Sequence, residues 1–107
     1  MDTEALGDKY LEKGKSSATS KNVFKGKSRY TDAIEYFERG VNQYMQCDAF
    51  DKAATALEAS IDVYKTHLIP NGDGSNAKLA KQYEELGGIL EAVDLKRAQV
   101  HVCLYAS

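Results

Sequence analysis

The chain has 107 residues, with one proline, no tryptophan, two cysteines, 43% hydrophobic and 28% charged residues. That balance describes one small globular domain and excludes disordered, collagenous and disulfide-scaffold classes. A formal net charge of −2 gives no global reason to expect nucleic-acid binding.

No apolar run approaches the roughly 20 residues that a bilayer-spanning helix needs. Cys47 and Cys103 match no metal-ligand spacing, and two thiols in a helical chain suit a reducing compartment. The opening Met1-Asp2-Thr3-Glu4 is acidic and has no secretory apolar core. The expected location is the cytoplasm. The charge is uneven: Lys13, Lys15, Lys21, Lys25, Lys27 and Arg29 give +6 over 13–29, a stretch without Asp or Glu, so the remainder carries −8. One end of the molecule is therefore expected to face something anionic.

Residues 3–16 read as a first helix, with Leu6, Tyr10 or Leu11, and Gly14 on one face. The Ser/Lys-rich stretch 16–29 breaks the pattern and reads as a loop. It exceeds the roughly 2–8 residues usual between helices, which marks it as disordered or functional. A second helix then carries Ala33, Ile34, Phe37, Val41, Tyr44 and Met45 at i, i+3, i+4 steps. Thr31 and Asp32 are expected at its start.

Asp48, with Asp51 three residues on, resembles a capping box opening a third helix. Its apolar face is Phe50, Ala53, Ala54, Leu57, Ile61, Tyr64 and Leu68. A connection as short as Gln46-Cys47-Asp48 forces the second and third helices to be antiparallel neighbours. Pro70, Gly72 and Gly74 end the third helix. A fourth helix is expected from Asn76 to Val93, facing inward with Leu79 or Ala80, Tyr83, Leu86, Leu90 and Val93. Asp94 is expected to cap a fifth, with Leu95, Ala98, Val102 and Tyr105 in line.

Chemistry is sparse. His67 falls near the third helix's C-terminus, where a cation suits the helix dipole, and His101 has no evident partner. Glu84, Glu85 and Glu91 fit an exposed helix face better than a carboxylate pair. Asp73 lacks the regular ligands of a calcium loop. Gly72-x-Gly74 lacks the strand and third glycine of a dinucleotide fingerprint. Gly87-Gly88 costs about 1 kcal/mol per residue within a helix and reads as a point of close helix packing. The expectation is no enzymatic activity and no cofactor. The 16–29 loop differs, because it sets Val23 and Phe24 among Lys21, Lys25, Lys27 and Arg29. An apolar pair ringed by cations suits an anionic membrane surface, at about 1 kcal/mol per basic residue. The alternative is that Val23 and Phe24 tuck back against the first hairpin. One Phe is thin support for an RNA platform.

Two helices start alike. Tyr30-x-x-Ala33-Ile34-x-x-Phe37 matches Phe50-x-x-Ala53-Ala54-x-x-Leu57, and Leu95-x-x-Ala98 is a weaker copy. A bulky residue at the start wedges against the preceding helix, and the alanine lets backbones approach. This resembles tetratricopeptide (TPR) repeats, in which one hairpin recruits the next. A closed bundle would show the same periodicity. The end of the chain, Val102-Cys103-Leu104-Tyr105-Ala106-Ser107, lacks the polar outer face of a capping repeat and favours the array. The expected fold is all-α: antiparallel helical hairpins stacked in a TPR-like right-handed array (an α-α superhelix), one domain over 1–107, the N-terminal portion of a longer protein.

The order of features is similar to the soluble NSF attachment proteins (SNAPs), in particular the gamma type. The matching residues are Ala5-x4-Tyr10-Leu11-x-Lys13-Gly14, Phe24-Lys25, Tyr30-x-x-Ala33-x3-Phe37-x3-Val41, Phe50-x-x-Ala53 and Lys81-x-Tyr83-Glu84-x-Leu86-Gly87. The resemblance implies a twisted sheet of hairpins in an adaptor for vesicle trafficking. Such an adaptor binds SNARE complexes and helps recruit the NSF ATPase that disassembles them. It implies a peripheral membrane contact through Val23 and Phe24. Lys21, Lys25, Lys27 and Arg29 are candidates, by charge, for facing SNAREs or lipid. The family's NSF-engaging C-terminal helices have no counterpart in this sequence, and the Ile69–Ser75 segment is longer than the family's turn. A generic TPR-like peptide-binding scaffold is the alternative function.

Overall fold

Two of the glycines on the first helix have aromatic rings where a side chain would otherwise stand. The computed structural model describes residues 3–19, 28–70, 72 and 76–106, with side chains as far as residue 96. Helix α1 spans Thr3–Thr19, α2 Ser28–Gln46, α3 Phe50–Val63 and α4 Asn76–Ala106. The described residues contain no strand. Packing is sequential: α1 lies on α2, α2 on α3 and α3 on α4. The Cα extents are 58 × 31 × 16 Å, and the short dimension is that of two helix layers with axes about 8–10 Å apart.

The α1–α2 seam is set by ring on glycine. A Cβ on Gly7 would lie 2.6 Å from a carbon of the Tyr44 ring, and one on Gly14 would lie 2.5 Å from the Phe37 ring. The glycines are seven residues apart on α1 and the rings seven apart on α2, so the two seats fix an antiparallel register. Gly40, between the rings, brings α2 against the Gly7 carbonyl, at 3.4 Å from where its own Cβ would be. Tyr10 stacks on Tyr36 beside the seam, with centroids 6.5 Å apart. Both seating rings are fully enclosed, Phe37 at 2% and Tyr44 at 0% exposure.

Tyr44 also carries the polar part of the seam. Its hydroxyl donates to Asp8, and Lys52 of α3 pairs with Asp8 at 3.3 Å and Glu4 at 3.0 Å. The Tyr44 hydrogen bond, then Lys52, hold the Asp8 carboxyl below its ordinary range. Burial, followed by the bond to Asp8, pushes the Tyr44 phenol above its ordinary range.

The α2–α3 turn corrects one expectation. Asp48 does not cap α3. It is the left-handed residue that closes α2, at φ 58°. Its N–H donates to the Met45 carbonyl at 3.3 Å, and the Ala49 N–H reaches the Tyr44 carbonyl at 2.9 Å, the paired bonds of a Schellman motif. Aspartate is among the few non-glycine residues that adopt this conformation readily. The residue before α3 is Ala49, which makes no side-chain cap. Thr31 and Asp32 likewise do not start α2, which begins at Ser28, and the helical part of α1 continues through Ser16 and Ser17 to Thr19. The Thr19 hydroxyl donates to the Lys15 carbonyl at 2.9 Å, a local bond that lets a hydroxyl residue remain helical.

Helix α3 is the central element. Ala53, Ala54, Ala56, Leu57, Ser60, Ile61 and Val63 are all buried. It ends in a π-helical turn, Tyr64–Leu68, in which the Ile69 N–H reaches the Tyr64 carbonyl at 2.9 Å. The predicted α3 face is buried from Ala53 to Leu68, with Phe50 half-buried. On α2 only Met45 is outside, at 37%.

Three expectations for the last part fail. There is no break at Asp94, because nothing between Val93 and Lys96 is a glycine or proline, and α4 runs on as one helix. Its inward face is Gln82, Ile89 and Val93, flanked by half-buried Leu79 and Leu86; Tyr83 and Leu90 face outward. Gly87 and Gly88 are not packing points: a Cβ on either meets nothing within 4 Å.

These two classes of glycine give opposite outcomes. Gly14→Ala drives a methyl into an immobile ring, a cost of about 1–3 kcal/mol against a helix gain of about 1 kcal/mol. We expect urea denaturation to show net destabilisation for Gly14→Ala and stabilisation by about 0.5–1 kcal/mol for Gly88→Ala.

The Tyr44–Asp8 pair gives a pH signature. The depressed Asp8 contributes above the ordinary carboxylate range, and that contribution is lost as pH falls through its folded value. The elevated Tyr44 contributes below the ordinary phenol range, and that contribution is lost as pH rises through its folded value. The stability difference between wild type and Tyr44→Phe is therefore expected to be largest near neutrality and to shrink at both extremes. Urea midpoints across pH measure it.

Candidate functional site, a groove between the second and fourth helices

Helices α2 and α4 both lean on α3 and leave a groove of about 480 Å³ between them. Its floor is apolar: Ile34 and Val41 from α2, Leu57 from α3 and Tyr64 from the π turn. Its α2 wall carries Thr31, Glu35, Glu38 and Asn42, and its α4 wall Lys78, Lys81, Gln82 and Glu85. The i, i+4, i+7, i+11 spacing of the α2 wall and the i, i+3, i+4, i+7 spacing of the α4 wall both follow from the helical repeat.

A polar relay sets the width of the groove. Ser60, fully buried on α3, donates to Gln82 Oε1 at 2.9 Å. The Gln82 amide then donates to Glu38 Oε1, also at 2.9 Å. One side chain of α4 is thereby bonded to α3 and α2 together. Glu38 also bears on Tyr64, whose phenol is raised first by burial and then by the Glu38 charge. Glu35 is paired with Arg39 at 2.6 Å, both exposed, an i,i+4 pair worth a few tenths of a kcal/mol.

A second cluster lies where α1 ends and α2 begins. The Ser17 hydroxyl donates to the Arg29 carbonyl at 2.8 Å. The Arg29 guanidinium bonds the Tyr30 hydroxyl at 2.7 Å and lies over the Tyr30 ring, 4.6 Å from its centroid. His67 stacks on Tyr30 at 4.1 Å and 9°. His67 thus sits in the π-helical turn that follows α3, near the helix C-terminus where the sequence places it, and adds an aromatic contact with α2 that its sequence neighbours do not signal.

Of the sequence-predicted site residues, Arg29 is placed in this half-buried cluster at the start of α2. Val23, Phe24, Lys21, Lys25 and Lys27 lie outside the described residues, as does Asp73. Glu84, Glu85 and Glu91 are exposed on α4. No group of His, Cys, Asp and Glu among the described residues could hold a metal ion, and no described helix is long and apolar enough to cross a membrane. The arrangement can do binding chemistry: an apolar floor for side chains, with acidic and basic positions along its rims.

Sequence reasoning missed the groove and the relay. Gln82 is a polar residue at an inward position, flanked by apolar Ala80 and Tyr83 that point out, so hydropathy alone points the face the wrong way. Comparison with family models, with curated proteins and with solved structures finds no match.

Replacing Ser60 with alanine strands the Gln82 carbonyl oxygen in a buried position, at about 1–3 kcal/mol. Ser60→Ala is expected to destabilise by that amount, and Ser60→Ala/Gln82→Met to recover most of it. A double-mutant cycle on urea midpoints measures the coupling.

Proposed function

We propose that the chain is a SNAP-type adaptor: a TPR-like right-handed array of helical hairpins that binds SNARE complexes at a membrane surface and takes part in recruiting the NSF ATPase. One observation carries the reading. Some of the residues behind the resemblance join α1 to α2. Gly14 seats Phe37, Tyr10 and Leu11 lie against Gly40, and Ala33 and Val41 are buried in the core. Motif positions that meet across a helix–helix seam in this way are what a hairpin-array family would share; Phe50 and Ala53 lie on α3, and Lys81, Tyr83, Glu84, Leu86 and Gly87 on α4. Sequential packing from α1 to α4 supports the same architecture.

The membrane part rests on the composition of the 21–29 segment. The Ser17–Arg29–Tyr30–His67 cluster anchors its C-terminal end to α1, α2 and the α3 π turn. In this reading Val23 and Phe24 enter the headgroup boundary, and Lys21, Lys25, Lys27 and Arg29 face anionic lipid or the acidic SNARE bundle. The groove favours a second reading, a TPR-like scaffold for a single peptide, because an apolar floor between two helices suits an amphipathic segment.

A pull-down separates them. The adaptor reading expects an assembled SNARE bundle to be retained in preference to any single SNARE peptide; equal or stronger retention of one peptide selects the scaffold. In the same experiment, co-sedimentation with anionic vesicles should fall for Val23→Ser/Phe24→Ser. Unchanged sedimentation removes the membrane contact from the proposal.

A further inference from the structure

Every described glycine on α1 and α2 has a ring or a backbone in its seat, whereas Gly87 on α4 faces open space. Around it one flank of α4 is apolar, bordered by the exposed Glu84 and Glu91. Tyr83 is 45% and Leu90 43% exposed, and Ala80 is exposed as well. At about 100° per residue, Ala80, Tyr83, Gly87 and Leu90 fall on one stripe. The groove-lining Lys78, Lys81 and Glu85 lie on the opposite side of the helix.

The spacing of this stripe is self-complementary. In an antiparallel α4 pair with its two-fold axis at residue 85, Tyr83 meets Gly87 of the second copy, and Leu90 meets its Ala80. The symmetry repeats both contacts in reverse. Each large side chain then lies on a small one, as Phe37 and Tyr44 lie on Gly14 and Gly7 within the chain. An isologous interface requires this reciprocity. The half-buried Leu79 and Leu86 extend the contact along one edge. On the other edge Glu84, which is exposed, faces its own counterpart.

We propose that the chain self-associates through α4, as an antiparallel pair in which the Tyr83 ring occupies the open seat at Gly87 of the second copy. The stripe from Ala80 to Leu90 covers only about 15 Å of helix. Its area is therefore below the roughly 1,200 Å² of standard stable interfaces, and the dimer is concentration-dependent. Because like charges meet at Glu84, added salt strengthens it. This surface is separate from the groove and from the 21–29 segment, so it stands or falls apart from the adaptor reading.

Sedimentation equilibrium of the full chain over a wide concentration range is the test. Wild type is expected to rise from the monomer mass towards the dimer mass, and to do so at lower concentration in higher salt. Gly87→Gln blocks the seat and removes the dimer; since none of the described residues lies within 4 Å of a Cβ at that position, the monomer stays folded and gains helix stability. Glu84→Ala strengthens association. In a Cys47→Ser/Cys103→Ser background, Ala80→Cys mixed with Leu90→Cys is expected to form a mixed disulfide, while Leu90→Cys alone is not. A monomer at every concentration overturns the proposal, and so does a dimer that is indifferent to Gly87→Gln or cross-links in another register.

Discussion

The seating of two rings on two glycines is the constraint from which the rest of the fold follows. A helix pair with side chains at Gly7 and Gly14 would be pushed apart by the Tyr44 and Phe37 rings, whose carbons lie within 2.7 Å of the ideal Cβ positions. Removing the side chains lets α2 approach until Gly40 meets the Gly7 backbone. The approach fixes Tyr44, and Tyr44 fixes α3. Its carbonyl receives the Ala49 N–H that closes the turn. Its hydroxyl holds Asp8 where Lys52 of α3 can reach both Asp8 and Glu4. The same ammonium lies over the Tyr44 ring, 5.9 Å from its centroid. One residue therefore ties α1, α2 and α3 in register. The ion pairs are solvent-exposed and contribute little energy; their role is to orient a contact whose energy comes from the buried rings.

The second half of the molecule is positioned by other means. Helix α3 presents Ala53, Ala54 and Ala56, which lower its profile, and places the larger Leu57 and Ile61 between its neighbours. Helix α4 meets it through Ile89, with Leu79 and Leu86 at the edges. Apolar contacts of this kind tolerate sliding. The Ser60–Gln82–Glu38 relay does not, because each buried group must keep its partner. At the far end Lys96 donates to the Asp48 carbonyl at 2.9 Å and lies over the Phe50 ring. Helix α4 is thus registered at two points, one inside and one at the α2–α3 turn, and the groove width follows from that registration.

What could be read from the sequence follows the same division. The faces of α2 and α3 were legible because almost every inward position is apolar and recurs at helical spacing. The face of α4 was legible only in part: Leu79, Leu86 and Val93 turn inward as expected, while the residue bonded inside is Gln82 and Tyr83 and Leu90 point out. A hydropathy pattern assumes that polar means exposed, and here the relay reverses it. The Schellman turn was hidden for a related reason: aspartate is common both at helix starts and in left-handed closures, and only the backbone decides between them. The glycines were half-legible. Gly14 was placed on the inner face of α1, whereas Gly87 and Gly88 were assigned to packing that does not occur. Residue type gives the possibility of close approach, and only the neighbour's position tells whether it is used. A groove built from three helices has no contiguous signal at all.

The two sides of α4 pose different physical problems. The groove side is a mixture of charge over an apolar floor, and water can occupy it at modest cost because its rims supply hydrogen-bond partners. The outer side offers water fewer such partners between Ala80 and Leu90, the Tyr83 hydroxyl and Glu84 at one edge, and two open glycines add exposed backbone and a helix penalty of about 1 kcal/mol each. Inside the chain the same penalty at Gly7 and Gly14 is offset by ring burial. On α4 no contact among the described residues offsets it. A sequence selected only for the stability of this fold would place alanine or a polar helix former at 87 and 88. The glycines, taken with Tyr83 and Leu90 beside them, are therefore better explained by a surface that is covered in use than by the interior of the fold.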